Sequence, residues 1–432
     1  MPATAPSLRR FDISGMSDFC EHYRWLLGPQ GAEWLRRAAD ETGRPLSQLE
    51  RLRKAIGVER ARLVAEQIEL RRRAVAKFAQ AEHLFFTRQG LEQASDCWVA
   101  AYKARRFPPG PVADLCAGIG GDLLALAARG PVIGVEIDPI RARLAAANLR
   151  SGSRQAPTTP ANSGRAQLGS TSLVVIEDAQ HFPVAHVEAW HMDPDRRPGG
   201  RRTVRLDFSQ PRLAVIEALR AAQPSAAIKL APACPLPESW HRQAELEWIG
   251  RQGQCRQLVA WFGRLAEHPG KRRATLIDGT MPDGFVIRTL VGDRDCRAEV
   301  ASRLGRYIFE PDAAVLAAGL ASTLAAEHGL AFLAASSTYL TADHPVVADR
   351  ALACFEVCDA MPFDLRRVRQ ALRARCIGRL EIKTRGLSLD PDGLRHKLGL
   401  GGPNAAVLLI ARCGRSALAI LARRLAPSSP SP

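Results

Sequence analysis

Lysine is scarce in this 432-residue chain, which has seven, at positions 54, 77, 103, 229, 271, 383 and 397, against 53 arginines. Such a skew, together with abundant alanine and proline, reflects a GC-rich coding sequence, so the formal charge of +16 overstates the case for a polyanionic partner. Where the charge sits is more informative than its total. Paired cysteine motifs are missing too: the ten cysteines, at 20, 97, 116, 234, 255, 296, 354, 358, 376 and 413, include no C-x-x-C spacing. That excludes the common structural zinc sites and leaves most of them as reduced core residues, with no metal expected. The one close pair, Cys354 and Cys358 in CFEVC, is i, i+4 on a helix and falls on opposite faces of a strand only if the pleat slips by one residue. No basic-apolar-small leader opens the chain and no apolar run has membrane-spanning length, so a cytoplasmic location without a membrane partner is expected. Nor is there a tandem repeat of solenoid period. What remains, 46% hydrophobic and 24% charged, is the composition of a soluble globular protein with two or three domains.

Apolar residues recur at helical spacing from about Met16 to Gln80, which predicts a helical N-terminal region over residues 1–80. Its Arg71-Arg72-Arg73 run reads as a solvated helix face. From Pro111 short apolar runs alternate with amphipathic stretches: PVADLCA, DLLALAARG, PVIGVEID, PIRARLAAANLR. This is the pattern of parallel strands joined by crossover helices. Residues 151–170, rich in Ser, Gly, Pro and Ala, read as a flexible insertion, after which SLVVIEDA, AHVEAWHMDP, PRLAVIEALRAA and SAAIKLAP resume the alternation. AELEWIGRQG, QCRQLVAWFG and RRATLI then offer strands that close the sheet with an antiparallel hairpin. A sheet domain over 81–280 is expected, followed by a domain over 281–426 and a disordered tail over 427–432. Residues 361–425 hold 14 Lys and Arg against 4 Asp and Glu, so most of the net charge is concentrated there.

The loop DLCAGIGGD, residues 114–122, lies between a predicted strand and a predicted helix, the first turn of a doubly wound sheet, where ligands bind at the carboxyl ends of strands. Its glycines permit a sharp turn and close approach of a ligand. A dinucleotide would bring a pyrophosphate to the helix N-terminus, where Asp114 and Asp122 repel it. S-adenosylmethionine, with a sulfonium and an ammonium, suits the same acids: Asp114 pairs with the ammonium while loop amides receive the carboxylate. Glu136, ending the second strand, can accept from both ribose hydroxyls, and Asp178, ending the third, from the adenine amino group.

FFTRQGLEQASDCWVAAYKARRF, VADLCAGIGGDLLALA, VIGVEIDPIRARLAAANL and HMDPDRRPGGRR together resemble a bacterial family of class I S-adenosylmethionine-dependent methyltransferases carrying a THUMP-like C-terminal domain. The core is also similar to the trimethylguanosine synthase group. The resemblance spans about residues 20–425, apart from the insertion, and implies an α/β fold: a Rossmann-like methyltransferase sheet, a helical N-terminal region and an α+β THUMP-like domain. It implies cofactor contacts at Asp114, Cys116, Gly118, Gly120, Glu136 and Asp178, and a closing segment FFTRQGLEQAS with Thr87 and Glu92 as contributors, where Phe86 and Thr87 are the substrate-binding candidates. Phe85 and Phe86 fit core positions equally well.

The fourth strand ends in HMDPDRRP, where many amino-group methyltransferases carry Asp or Asn, then Pro-Pro, then an aromatic ring. Asp193 and Pro194 match as the catalytic pair, but Asp195 and Arg196 replace the second proline and the ring, which puts an N-methyl acceptor in doubt. Asp193 can orient an amine or act as a base for a hydroxyl. Arg196, Arg197, Arg201 and Arg202 are placed to meet phosphates or to form a solvated loop. A stacking ring would come from Trp190, Trp98 or Phe86. RYIFEPDAAVLAAGL, LEIKTRG and GLRHKLGL carry the likeness to THUMP domains, which in fused methyltransferases present RNA to the catalytic domain. Lys383 and Arg385 alternate on a predicted strand and share one face; with Arg366, Arg367, Arg369, Arg373 and Arg375 they form either a phosphate-binding surface or a solvated helix face. The expectation is RNA methylation; methylation of a protein or small molecule, or RNA binding without catalysis, are the other readings. Oligomeric state is left open.

Overall fold

The computed structural model describes residues 17–40, 45–154, 172–195, 203–278, 286–293 and 299–425. The chain forms two compact units, Met1–Asp195 with Pro211–Ser225, and Arg196–Gln210 with Ala226–Pro432.

The first unit opens with the expected helices, α1 (Ser17–Leu26), α2 (Pro29–Asp40), α3 (Pro45–Ile56) and α4 (Val58–Ala74). Their apolar faces, among them Leu26, Leu35, Leu63 and Leu70, share one core with Phe78, Phe86, Leu91 and Ile119. Two short helices follow, α5 (Arg88–Gln93) and α6 (Cys97–Ala104). Each starts at a side-chain cap, Thr87 accepting from the Gly90 amide and Asp96 from that of Val99. The alternating pattern is then realised as β1 (Val112–Leu115), α7 (Gly121–Ala127), β2 (Val132–Glu136), α8 (Pro139–Arg154), β3 (Leu173–Ile176), β4 (Ala189–Met192) and α9 (Leu213–Ala222). The four strands lie in the order β3-β2-β1-β4, all parallel. Central β1 and β4 are buried at every position, Asp114 and His191 included, as parallel strands flanked by crossover helices are. Residues 151–154 of the expected insertion close α8; the rest of it lies outside the described residues.

The second unit carries β5 (Ala226–Leu230), α10 (Glu238–Gln243), β6 (Glu245–Arg251), β7 (Gln254–Trp261), β8 (Arg272–Asp278) and β9 (Val286–Gly292). Their order is β5-β7-β6-β8-β9, and β6 and β7 form the expected antiparallel hairpin, turning at Gln252 and Gly253, both with positive φ. β9 lies beyond residue 280 and pairs antiparallel with β8, so the sheet runs past the boundary expected there. Then come β10 (Tyr307–Pro311), α11 (Ala313–Ala318), α12 (Ala321–His328), β11 (Ala331–Phe332), β12 (Leu340–Ala342), β13 (Leu352–Pro362), α13 (Leu365–Ala374), β14 (Ile377–Arg385), α14 (Pro391–Leu398), β15 (Asn404–Cys413) and β16 (Ser416–Arg424). The strands form a sheet in the order β11-β12-β10-β13-β16-β15-β14, with β14 and β15 parallel. Alternation divides its two faces: Leu408 and Ile410 pack with Val368, Leu372, Leu394 and Leu398 of α13 and α14, whereas Leu409 and Ile420 pack with Phe355 and Tyr339. A bulge between Val357 and Asp359 supplies the one-residue slip that leaves Cys354 buried and Cys358 exposed. The tail over 427–432 lies outside the described residues.

Candidate active site

The glycine loop is built on three left-handed residues. Gly118 and Gly120 have φ of +60° and +94°, which a glycine adopts without a Cβ clash, and Cys116 holds φ of +61°, which for a side-chain-bearing residue costs about 1–3 kcal/mol. Glu136, at the end of β2, braces the turn: Oε2 accepts from the Gly118 amide at 2.8 Å, Oε1 from that of Asp138 at 2.9 Å, and Arg141 lies 3.3 Å away. Burial holds its carboxyl above the usual range. Asp178 caps the turn after β3, accepting from the Gln180 amide and side chain at 3.0 and 2.8 Å. Asp193, half-buried, follows β4, its amide donating to the Leu115 carbonyl at 3.3 Å. The thiol of Cys116 is pushed well above its ordinary value, first by burial and then by the charges of Glu136, Asp193, Asp114 and Asp178. Four acids chosen as site residues thus act on one point of the loop. Exposed Ile137 and Ile176, beside Glu136 and near Asp178, add apolar surface that sequence reading missed.

Asp114 lies beneath this loop, not at its surface. It is 1% exposed, with Oδ1 accepting at 2.7 Å from Nδ1 of His191, its register partner on β4. Oδ2 is buried without a hydrogen-bond partner. Lys103 of α6, 2% exposed, sits 2.6 Å from Asp122 of α7 and 3.2 Å from Nε2 of His191, and Ser95 donates to Asp122 at 2.8 Å. The expected repulsion of a pyrophosphate by Asp122 is therefore offset, because Lys103 matches its charge. Neither Lys103 nor His191 was a candidate from sequence; the available signal was a lone lysine in an otherwise apolar helix.

FFTRQGLEQAS is held at three points, one of them on the glycine loop. Gln67 of α4 exchanges two hydrogen bonds with the backbone of Phe86, at 2.6 and 2.9 Å. Asn148 of α8 bonds both backbone groups of Phe85 and the carbonyl of Ile119 inside the glycine loop. Lys77 donates to the carbonyls of Leu91, Glu92 and Ala94. Phe86, expected to reach a substrate, is instead a core residue, 1% exposed and 5.5 Å from the ring of Phe78. Thr87 is occupied as the cap of α5, and Arg71 is not solvated: it lies over Phe85 and donates to the Leu84 carbonyl, and burial pushes its guanidinium down to about 10. Gln93 reaches Asp195 at 3.3 Å, which ties the segment to the end of β4.

On the acceptor side Pro194 is buried beside Asp193, and Trp190 is fully buried, with Nε1 donating to the Gln223 carbonyl, so neither Trp190 nor Phe86 is available to stack on a base. Arg196, Arg197, Arg201 and Arg202 lie outside the described residues. In the second unit Lys383 and Arg385 do share a face of β14, but both grip Glu310, at 2.7 and 2.9 Å, and Lys383 also lies 3.4 Å from Glu381, so both are engaged within the sheet. Arg375 pairs with Asp359 at 2.9 Å, and Arg369 donates to the Lys397 carbonyl. Arg366, Arg367 and Arg373 of α13 are exposed, with no carboxylate partner among the described residues. Glu327, His328 and Asp349 gather metal-type donors, yet Arg288 bonds both carboxylates and supplies the positive charge there. No described helix is long and apolar enough to cross a membrane.

Two proteins of Mycobacterium tuberculosis, from strains CDC 1551 / Oshkosh and H37Rv, each an uncharacterized S-adenosylmethionine-dependent methyltransferase, are 33% identical over 372 residues, covering 83% of this chain and 95% of theirs. The chain belongs to that methyltransferase family. It is an enzyme of the S-adenosylmethionine-dependent class. A solved structure of a candidate methyltransferase from Porphyromonas gingivalis W83 shares the fold, with a TM-score of 0.71 at 21% identity over 94% of this chain and 98% of that one. Residues 352–424 of the methyltransferase match the THUMP domain-like family, and residues 20–74 a domain of unknown function.

Proposed function

We propose that the methyltransferase acts on RNA, with the pocket around Cys116 holding S-adenosylmethionine and the end of β4 holding the acceptor nucleotide. The observation that carries the RNA reading is the THUMP domain-like match over 352–424, coinciding with the strongest concentration of positive charge in the chain. Within it, Arg366 and Arg373 stand two helical turns apart on one side of α13 with Arg367 beside them, a row of guanidinium groups suited to phosphates.

The cofactor supplies an electrophilic methyl group on a sulfonium. The residues of the chain supply position. The Gly118 and Gly120 amides already donate to Glu136 and to the Ala117 carbonyl, so they do not receive the cofactor's carboxylate as the sequence suggests; Glu136 and Asp178 accept from ribose and adenine, and Ile137 offers the base an apolar face. A carboxylate oxygen that already accepts one amide retains a second lone pair, so Glu136 can brace the loop and bind ribose together. Asp193 orients the attacking amine or hydroxyl, and in-line placement provides most of the acceleration. Asp114 contributes its charge from below. An amine and a hydroxyl acceptor remain alternatives for Asp193, since no ring follows Pro194 in sequence.

The test is transfer of labelled methyl from S-adenosylmethionine to total RNA of a strain lacking the gene, followed by nucleoside mass spectrometry. Label in a single modified nucleoside, absent from the deletion strain and restored by the enzyme, is expected. Label recovered only in protein or small molecules would overturn the RNA reading and leave the methyltransferase assignment standing.

A further inference from the structure

The glycine loop rests on a buried ionic cluster of Lys103, Asp122, His191 and Asp114, drawn from α6, α7, β4 and β1. Its protonation pattern follows from the distances. Lys103 can only donate, and it approaches Nε2 of His191 at 3.2 Å, so Nε2 is the acceptor and the imidazole is neutral, with its proton on Nδ1. That proton is donated to Oδ1 of Asp114 at 2.7 Å. Lys103 is matched by Asp122 at 2.6 Å. Asp114 therefore holds one hydrogen bond from a neutral group and no ion pair of its own, with Oδ2 buried and unpartnered. Phe107, edge-on to the imidazole with centroids 6.5 Å apart, closes one side of the cluster.

We propose that Lys103 and His191 are positioning residues that keep Asp114 ionised beneath the glycine loop, so that the cationic end of the cofactor meets a fixed negative charge. The proposal rests on the cofactor reading of the loop. Asp114 acts through its field, which already reaches the Cys116 thiol, and not by direct contact. In a low-dielectric site such a charge loses little to solvent screening. The groups facing Asp114 are His191 from β4, Asp122 from α7, Lys103 from α6 and Cys116 in the loop. Burial, the largest cause, and the Asp122 charge hold the Asp114 carboxyl above its ordinary value, while the His191 hydrogen bond and the Lys103 charge limit that rise. Without them burial and Asp122 would raise its pKa further, and the field would weaken from the acid side upward.

The experiment measures calorimetric affinity of the full chain for two ligands from pH 5.5 to 8.5. S-adenosylhomocysteine carries the ammonium, and 5′-methylthioadenosine carries neither ammonium nor carboxylate. His191→Leu should weaken the first about tenfold or more at pH 7, the scale of one charge interaction in a partly buried site. The loss should shrink as pH rises and leave the second ligand unchanged. His191→Asn, whose amide can replace Nδ1–H, should restore the wild-type pH profile. Equal loss of both ligands, or an unchanged profile in His191→Leu, would overturn the proposal. If His191→Leu fails to fold, Lys103→Met with Asp122→Asn decides: this pair frees Nε2 for protonation, so S-adenosylhomocysteine affinity should fall at low pH while that of 5′-methylthioadenosine holds. Equal affinities in wild type and double variant would then overturn it. A wild-type chain that binds neither ligand contradicts the cofactor reading itself, a result distinct from any of these.

Discussion

Asp193 carries the clearest single-residue expectation. It follows β4 beside the loop, its amide donates to the Leu115 carbonyl, and its charge acts on the Cys116 thiol. Asp193→Ala should lower methyl transfer by at least about 100-fold, the scale of a positioned acid or base, well beyond any loss of cofactor affinity. Single-turnover rates beside calorimetric titration separate the two effects. An active variant would move the acceptor-orienting role to Asp195. The contrast with Asp114 is physical: both are acids at strand ends, but Asp193 is half-buried at the mouth and Asp114 is sealed beneath it.

At the scale of elements, the segment from Phe85 to Ala94 is a strap, held by Gln67 of α4, Asn148 of α8 and Lys77 from the turn after α4. Asn148 matters most, because it joins Phe85 of the strap to Ile119 of the glycine loop. Asn148→Ala leaves one buried amide and two carbonyls short of partners and should destabilise the first unit by about 2–3 kcal/mol. Urea titration checks the stability, and S-adenosylhomocysteine affinity should fall with it as the loop loosens. Gly90 adds a steric lock: a Cβ there would lie 2.5 Å from Cγ2 of Ile119. Unchanged stability and affinity in Asn148→Ala would mean that the strap is held by packing alone.

Across the whole molecule, positive charge is shared between internal ion pairs and free surface. Lys383, Arg385 and Arg375 belong to the first group, and Arg366, Arg367 and Arg373 to the second. Replacing the last three by Ala should flatten the log-log salt dependence of RNA affinity by about two, at about 0.7 per phosphate on a single strand. Cofactor affinity should stay the same, since the loop and its cluster lie in the first unit. Lys383→Ala with Arg385→Ala should instead destabilise the sheet by stranding the buried Glu310, with little change in salt slope. Filter binding at several salt concentrations distinguishes the two sets, and an unaltered slope in the α13 variant would remove that helix from the RNA surface.

Local periodicity and glycine placement determined much of this protein by themselves. The strand and helix succession from Val112 to Leu230, the hairpin of β6 and β7 and the four acids around the loop follow from alternation and turn chemistry, which act over a few residues. Residue type does not specify a partner across the fold. Whether Phe86 faces a pocket or a core, whether Lys383 meets phosphate or Glu310, and whether Asp122 opposes a ligand or holds Lys103 depend on groups tens of residues away. The pairing of His191 with Asp114 joins positions 77 residues apart through the register of two parallel strands. Only the tertiary structure decided it, because burial of an acid becomes tolerable only where the fold brings a donor to meet it.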